Sequence, residues 1–431
     1  MRNYFYRMVA KEISRVARYA REVCWLESME HDDGTLEQMI VADGTSAAAS
    51  GLQEFSGQDP RPRVFVLNGS LNYSLDCEAI LTRLSTETAR RDRVAIVLYN
   101  PYLRPLYWLA NLLGLRRGPY PTAFLSNADL SNIARITGFE VLKQKWIGFL
   151  PGHIWGLGTL INRILAEIPI IRSMGLSSVV WLRPLVPHST EPSLSIVVPA
   201  RNEAGNIERF FEELPPLPVS DLEIILVEGN SSDGTWEAIQ QAQNKYSDQY
   251  KIVSLQQPGK GKFDAVKHGF AAAKMELLAI VDADLTMPPT LLGRFLDAYA
   301  NGHGDFINGN RLLYPMEFAA MRPLNYVGNR FFAKFVAYVL GVTIGDSLCG
   351  TKLFHRGDYL RQCQWRQDFG EFDPFGDFEM LFCASALELG MVDVPIRYRS
   401  RTYGTTQIDR FRDGMVLFKM CLIALVRIKF R

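Results

Sequence analysis

The run LLAIVDADLTMPPTLL, residues 277–292, decides the fold class of the C-terminal half. Five apolar residues without a polar break, 277–281, read as a strand buried on both faces, and they lead straight into Asp282, Ala283 and Asp284. Pro288 and Pro289 suit the first turn of a following helix. Two carboxylates therefore leave the C-terminal end of a sheet strand, the edge at which open α/β sheets bind ligands. One residue apart, they can hold a hard divalent cation, Mg²⁺ or Mn²⁺, and such an ion neutralises charge on a leaving diphosphate. An isolated D-x-D would as readily make a turn or cap a helix, so its neighbours decide between the two readings.

Those neighbours alternate between strand and helix. Residues 194–198 read as a strand, after which Ile207, Phe210, Phe211 and Leu214 stripe one helix face. Residues 222–227 are a second strand with Trp236 and Ile239 leading its helix, and 252–255 are a third, followed by the stripe Phe263, Val266 and Phe270. This is the pattern of a βαβ sheet. The exits of the first two strands, PARNE (199–203) and EGNSSDGT (228–235), should meet the D-x-D in one crevice able to hold a base and ribose. The second exit also reads as a turn into a helix, with Asp233 and Gly234 chosen for backbone geometry.

The chain has 431 residues, so two domains are expected. The proline-rich run PLVPHSTEP (184–192) marks the boundary. We divide the chain into 1–186, a linker at 187–193, a catalytic domain at 194–413 and a C-terminal helix at 414–431. With 48% hydrophobic and 22% charged residues and a net charge of +1, neither disorder nor a nucleic-acid partner is expected. The six cysteines include no C-x-x-C pair, which suits a reducing cytosol. The basic N-terminus lacks the features of a secretory signal, and no run is apolar enough for a secure membrane span. The tail MVLFKMCLIALVRIKFR (415–431) fits a helix lying in a membrane interface, giving a cytoplasmic, peripheral placement.

Five segments together, VVPARNE (197–203), VEGNSSDGT (227–235), GKFDAVKHGF (261–270), DADLTMPP (282–289) and FGDFEM (375–380), resemble glycosyltransferase family 2, in its dolichol-phosphate mannose synthase-like branch. The resemblance covers the C-terminal half. It implies a mixed-sheet α/β fold of the GT-A type that binds a nucleotide-sugar, uses Mg²⁺ or Mn²⁺ and inverts the anomeric centre. It further implies that Pro199, Ala200, Arg201, Glu203, Glu228, Lys262, Asp264 and Asp282 line the nucleotide site and that Asp282 and Asp284 hold the metal. The chain departs from the family pattern at Glu228–Gly229–Asn230–Ser231, where relatives read D-D-G-S. Phe263 stands after Lys262 in place of a glycine, and Thr286 stands where relatives carry glutamine.

Transfer to a hydroxyl needs a carboxylate base, and Asp377 is the expected one; a lipid phosphate, already anionic, would need it only for positioning. As a strand, IRYRSRTYGTT (396–406) would set Arg397, Arg399 and Arg401 on one face, suited to a pyrophosphate or lipid phosphate, with Arg399 taking part in catalysis. Arg311 and Arg322, with Arg330, are expected to join that anion site.

In the N-terminal half, 63–67, 94–98 and 178–182 read as strands, and SNADLSNIARITGFEV as a capped helix and a further strand. This resembles a smaller class I methyltransferase-like α/β domain. SMEHDDG (28–34) follows the first strand of such a domain, read at 23–27, where a glycine-rich cofactor turn belongs, so a degenerate scaffold without methyltransferase activity is expected. The expected function is inverting sugar transfer from a nucleotide-diphosphate sugar to a membrane-associated acceptor, a polyprenyl phosphate. The alternatives are a polysaccharide or other hydroxyl acceptor, a sugar nucleotidyltransferase, or a non-catalytic scaffold.

Overall fold

The computed structural model describes residues 2–26, 34–42, 61–116, 118–150, 157–168, 171–188, 191–315, 323–370, 373, 375–404 and 410–430. The chain divides into two compact units, the first spanning residues 1–186 with 386–388 and 429–431, the second 187–385 with 389–428.

The first unit carries a five-stranded sheet of β1 (Glu22–Trp25), β2 (Arg63–Asn68), β3 (Arg93–Tyr99), β4 (Phe139–Ile147) and β5 (Ser177–Pro184), in the order β1-β2-β3-β5-β4. Strands β1, β2 and β3 are parallel, and β5 runs antiparallel to both β3 and β4. Each expected strand is present, and the helix Asn127–Ile136 begins with a reciprocal capping box between Ser126 and Asp129. The cores on the two faces are built from alternate residues, such as Val64 and Val66 on one and Phe65 and Leu67 on the other. The segment expected to betray a lost cofactor turn lies, but for Gly34, outside the described residues.

The second unit is a seven-stranded mixed sheet of β6 (Ser193–Ala200), β7 (Asp221–Glu228), β8 (Lys251–Gln256), β9 (Leu277–Ile280), β10 (Phe306–Asn310), β11 (Lys352–His355) and β12 (Met391–Pro395). Their order is β12-β10-β11-β9-β6-β7-β8. Strands β8, β7, β6 and β9 are parallel, β11 is antiparallel to β9 and β10, and β10 is parallel to β12. All four residues of β9 are buried because it is central and covered on both faces. Leu194, Ile196, Leu226 and Ala279 face one side of the sheet, where Ile207, Phe210 and Phe211 of the helix Ala204–Glu213 fill the core. On the other side lies the helix Lys262–Ala272. A Cβ at its Gly269 would come 2.5 Å from Cγ1 of Val197, so only glycine lets this helix approach the sheet so closely.

The strand expected to carry Arg397, Arg399 and Arg401 is absent over the described residues 396–404. Pro395 ends β12, and after Ile396 donates its N–H to the Asn310 carbonyl (2.9 Å) the chain leaves the sheet edge. It crosses to the D-x-D loop, where the Arg399 N–H donates to the Thr286 carbonyl at 2.9 Å. The C-terminal helix starts at Arg410 and runs to Ala424, followed by a π turn to Lys429. Leu417, Met420, Cys421, Ala424 and Ile428 are buried, while Met415, Phe418, Leu422 and Val426 form an exposed apolar stripe. Among the described residues no helix is long and apolar enough to cross a membrane.

Candidate active site

The site gathers at the C-terminal ends of β6, β7 and β9. Where β6 ends, Asn202 takes a left-handed φ of 55° and turns the chain into the helix Ala204–Glu213; Asn230 does the same after β7 at 57°. The two exits are laced together. Gly229 N–H donates to the Ala200 carbonyl (2.8 Å), Asn202 N–H to Oγ of Ser231 (3.0 Å), Ser232 N–H to Oδ1 of Asn202 (2.9 Å) and Glu203 N–H to Oγ1 of Thr235 (3.0 Å). Asp233 accepts from Ala204 N–H, from Thr235 and from the Tyr403 hydroxyl, so its role is to join three segments. Pro199 and Ala200 form the end of β6, and the Arg201 side chain is exposed beside Gly229.

Not every expected nucleotide contact points into the crevice. The buried Glu228 accepts from Ser231 N–H, shaping its own turn. Asp264 accepts from Gly259 N–H (2.9 Å) and pins the loop ahead of its helix. Phe263 is buried under the Arg366 guanidinium, 5.1 Å from its ring centre, so the residue that replaces a family glycine packs inward.

Beyond β9 the D-x-D is bent by Leu285 at φ 51°, a conformation that a bulky side chain adopts only under constraint. Asp282 Oδ1 lies 2.6 Å from Nζ of Lys262. Burial works against the Asp282 carboxylate, but Lys262, with Arg311 and Lys352 behind it, holds the acid below its ordinary range; burial likewise opposes the Lys262 charge, which Asp282, Asp377 and Asp284 restore and strengthen. Asp284 is turned differently. Its Oδ1 accepts from N–H and Oγ1 of Thr286 (3.1 and 2.7 Å), and its Oδ2 lies 2.6 Å from Nη2 of Arg401.

The remaining expected residues divide. Asp377 opens the helix Asp377–Ala386 and is buried, with Oδ1 at 3.0 Å from Nζ of Lys352, which is fully buried on β11. Arg311 grips Asp346 with two hydrogen bonds of 2.7 and 3.0 Å and stacks on Tyr398 at 5.2 Å, so its fork is committed to holding the loop. Arg399 pairs with Glu213 (3.0 Å) at the surface, and Arg397 is exposed. The three arginines of 397–401 thus do not share one face, and only Arg401 reaches the D-x-D. Arg322 lies outside the described residues. Sequence reasoning passed over Asp346, Gly350 and Lys352 in GDSLCGTK (345–352), whose polar, glycine-bearing turn running into a strand resembles the other strand-edge loops of the site.

Asp282 and Asp284 are the carboxylates that could hold a metal, and among the described residues no group of three or more histidine, cysteine or acidic side chains stands ready for one. A magnesium-like ion held by one or two carboxylates, waters and substrate phosphates fits this pair. Lys262 and Arg401 balance the two acids.

Glu203 is buried beside Asp284. Burial, aided by the Asp284 charge and opposed by the Asn206 amide at 2.6 Å, pushes its carboxyl up to about 7. The folded protein then holds a proton that the unfolded chain releases near 4.5, so stability falls as pH rises from about 4.5 to about 7. Glu203→Gln should abolish this slope, leaving the variant more stable than the wild type at pH 8 by up to about 3 kcal/mol and close to it at acid pH. Denaturant midpoints at the two pH values check this.

Comparison with known proteins gives residues 195–360 as a match to the model described as glycosyl transferase family 2. A dolichyl-phosphate hexose transferase of Haloferax volcanii is 26% identical over 237 residues, covering 54% of this chain and 96% of that protein. A dolichol-phosphate mannosyltransferase of Pyrococcus furiosus is 33% identical over 119 residues, 27% of this chain and 33% of that one. Among solved structures, the glucosyl-3-phosphoglycerate synthase of Mycobacterium tuberculosis aligns with a TM-score of 0.37 at 19% identity, over 55% of this chain and 81% of its own.

Proposed function

We propose that the chain, whose residues 195–360 match the model described as glycosyl transferase family 2, moves a hexose from a nucleotide-diphosphate sugar to a polyprenyl phosphate at a membrane surface. The observation that carries this reading is the meeting of Asp282, Lys262, Asp284 and Arg401 at the C-terminal edge of the sheet, two acids and two cations where a diphosphate would lie. The bond from the sugar C1 to the diphosphate oxygen breaks, an acceptor oxygen bonds C1 from the opposite face, and the nucleoside diphosphate leaves with the electron pair. Lys262 and Arg401 stabilise the charge gathering on the leaving group. A divalent cation held by Asp282 and Asp284, Mg²⁺ or Mn²⁺, would supply further neutralisation there. The laced loops after β6 and β7 shape the cleft for base and ribose, with Pro199, Ala200, Arg201 and Glu203 on its first wall.

An anionic acceptor accords with the state of Asp377. One oxygen of that carboxylate is engaged by the buried Lys352, an arrangement suited to orienting a group already deprotonated. The exposed stripe Met415, Phe418, Leu422 and Val426, with the exposed Lys419 and Arg427 beside it, suits the surface of a bilayer where such an acceptor resides. We read the N-terminal unit as a methyltransferase-like scaffold without that activity.

The test offers labelled nucleotide-sugars and Mn²⁺ to the full chain with a short isoprenyl phosphate or the matching isoprenyl alcohol. Label should enter the organic phase with the phosphate at least about tenfold faster than with the alcohol, the alcohol lacking the ionised oxygen. Preference for the alcohol would overturn the acceptor assignment, and no transfer from any donor to either would overturn the enzyme itself.

A further inference from the structure

The helix Arg104–Leu112 in the first unit buries only Tyr107. Around it stand Leu106, Trp108, Leu109, Leu112, Leu113 and Leu115, between 44 and 76% exposed. Soluble surfaces seldom leave so many large apolar side chains adjacent without a partner. Nor is the segment loosely attached. Asn100 accepts from Tyr102 N–H (2.9 Å) and donates to the carbonyls of Ser173 (2.7 Å) and Gly175 (2.6 Å), while Asn111 donates to the Gly118 carbonyl at 3.2 Å. The apolar side chains are held out on a fixed mount.

Charge identifies what covers them. Between Asp92 and Asp129 the sequence contains no acidic residue, while it carries Arg104 and Arg116 next to the exposed leucines. Arg104 is exposed at the start of the helix, and Arg116 is half-buried just beyond it. A second copy of the chain docking through this patch would bring the exposed Arg104 towards its own counterpart, with no acidic residue in 93–128 to answer it. An anionic bilayer offers the complement to both properties: hydrocarbon for the leucines, phosphates for the exposed Arg104, and an interfacial zone for Trp108.

We propose that the helix Arg104–Leu112, with Leu113 and Leu115, inserts into the headgroup boundary of anionic membranes and gives the N-terminal unit a lipid-binding surface of its own. This deepens the membrane part of the proposed function and makes no use of the sugar-transfer site.

Flotation of the full chain with vesicles tests it, comparing phosphatidylcholine alone with a phosphatidylcholine–phosphatidylglycerol mixture. The wild type should bind the anionic vesicles more strongly. Leu109→Glu/Leu112→Glu should lower partitioning at least about tenfold, because two anchoring side chains become anionic, and should leave the melting temperature unchanged. Trp108→Ala, which adds no charge, should weaken binding in the same direction. Phe418→Glu/Leu422→Glu in the C-terminal helix serves as the comparison. Absence of wild-type binding, wild-type partitioning in the Leu109/Leu112 variant, or a wild-type dimer that this variant dissolves would each overturn the proposal. Transfer to a short isoprenyl phosphate in detergent should persist in the Leu109/Leu112 variant; its absence from the wild type as well would count against the acceptor reading and leave the vesicle result standing.

Discussion

Asp282→Asn is expected to lower kcat/KM for sugar transfer by roughly 10³-fold while leaving a folded protein, since charge stabilisation at a leaving diphosphate accounts for several kcal/mol of barrier and each 1.4 kcal/mol is a factor of ten. The side chain stays the same size, so the loss reports charge. Two effects combine. The amide is a poor ligand for a hard cation, and it releases Lys262 from the 2.6 Å pair that fixes its position. The Lys262 ammonium would remain near Asp377 and Asp284, whose charges also support it, so the stability cost should be modest, about 1–2 kcal/mol against the 3–5 of a fully buried orphaned ion. Activity and melting temperature measured on one preparation separate the two effects. Near-wild-type turnover in the asparagine variant would remove this carboxylate from the chemistry.

What sequence could disclose of this arrangement followed from local rules. Strand β9 is an unbroken apolar run because both its faces are covered, and the helix after β6 shows its stripe because Ile207, Phe210 and Phe211 meet one core. The D-x-D could be placed at a strand exit because strand and turn lie next to each other in the chain. Pairings across long separations had no such signal. Nothing in the spacing of Asp284 announces Arg401, 117 residues away, or that of Asp377 announces Lys352. The alternation of Arg397, Arg399 and Arg401 suggested a strand, but Pro395 and the crossing to Thr286 outweigh a period of two. A fully buried lysine on β11 reads in sequence as a solvent-facing residue, and only its three-dimensional partners explain it.

Gly350 supplies the second large effect, and it needs no change to any charged group. A Cβ there would lie 2.3 Å from Asp282 Oδ2 and 2.3 Å from Lys262 Nζ, well inside contact distance of both members of the pair. Either side chain alone could yield, but they hold each other at 2.6 Å, so making room for a methyl group means breaking or displacing the pair. Gly350→Ala should therefore cost about 10²-fold in kcat/KM, in line with the sensitivity of catalysis to misplacement of about 1 Å. Gly293→Ala is the control: it sits in the helix Leu292–Ala300 with open space around its Cβ, and it should be neutral or gain up to about 1 kcal/mol of stability. Combining Gly350→Ala with Asp282→Asn decides how the first change acts. If it works by displacing the pair, it should add little to a protein in which the pair is already gone, whereas a further full factor of about 10² would mean that Gly350 serves the site by another route.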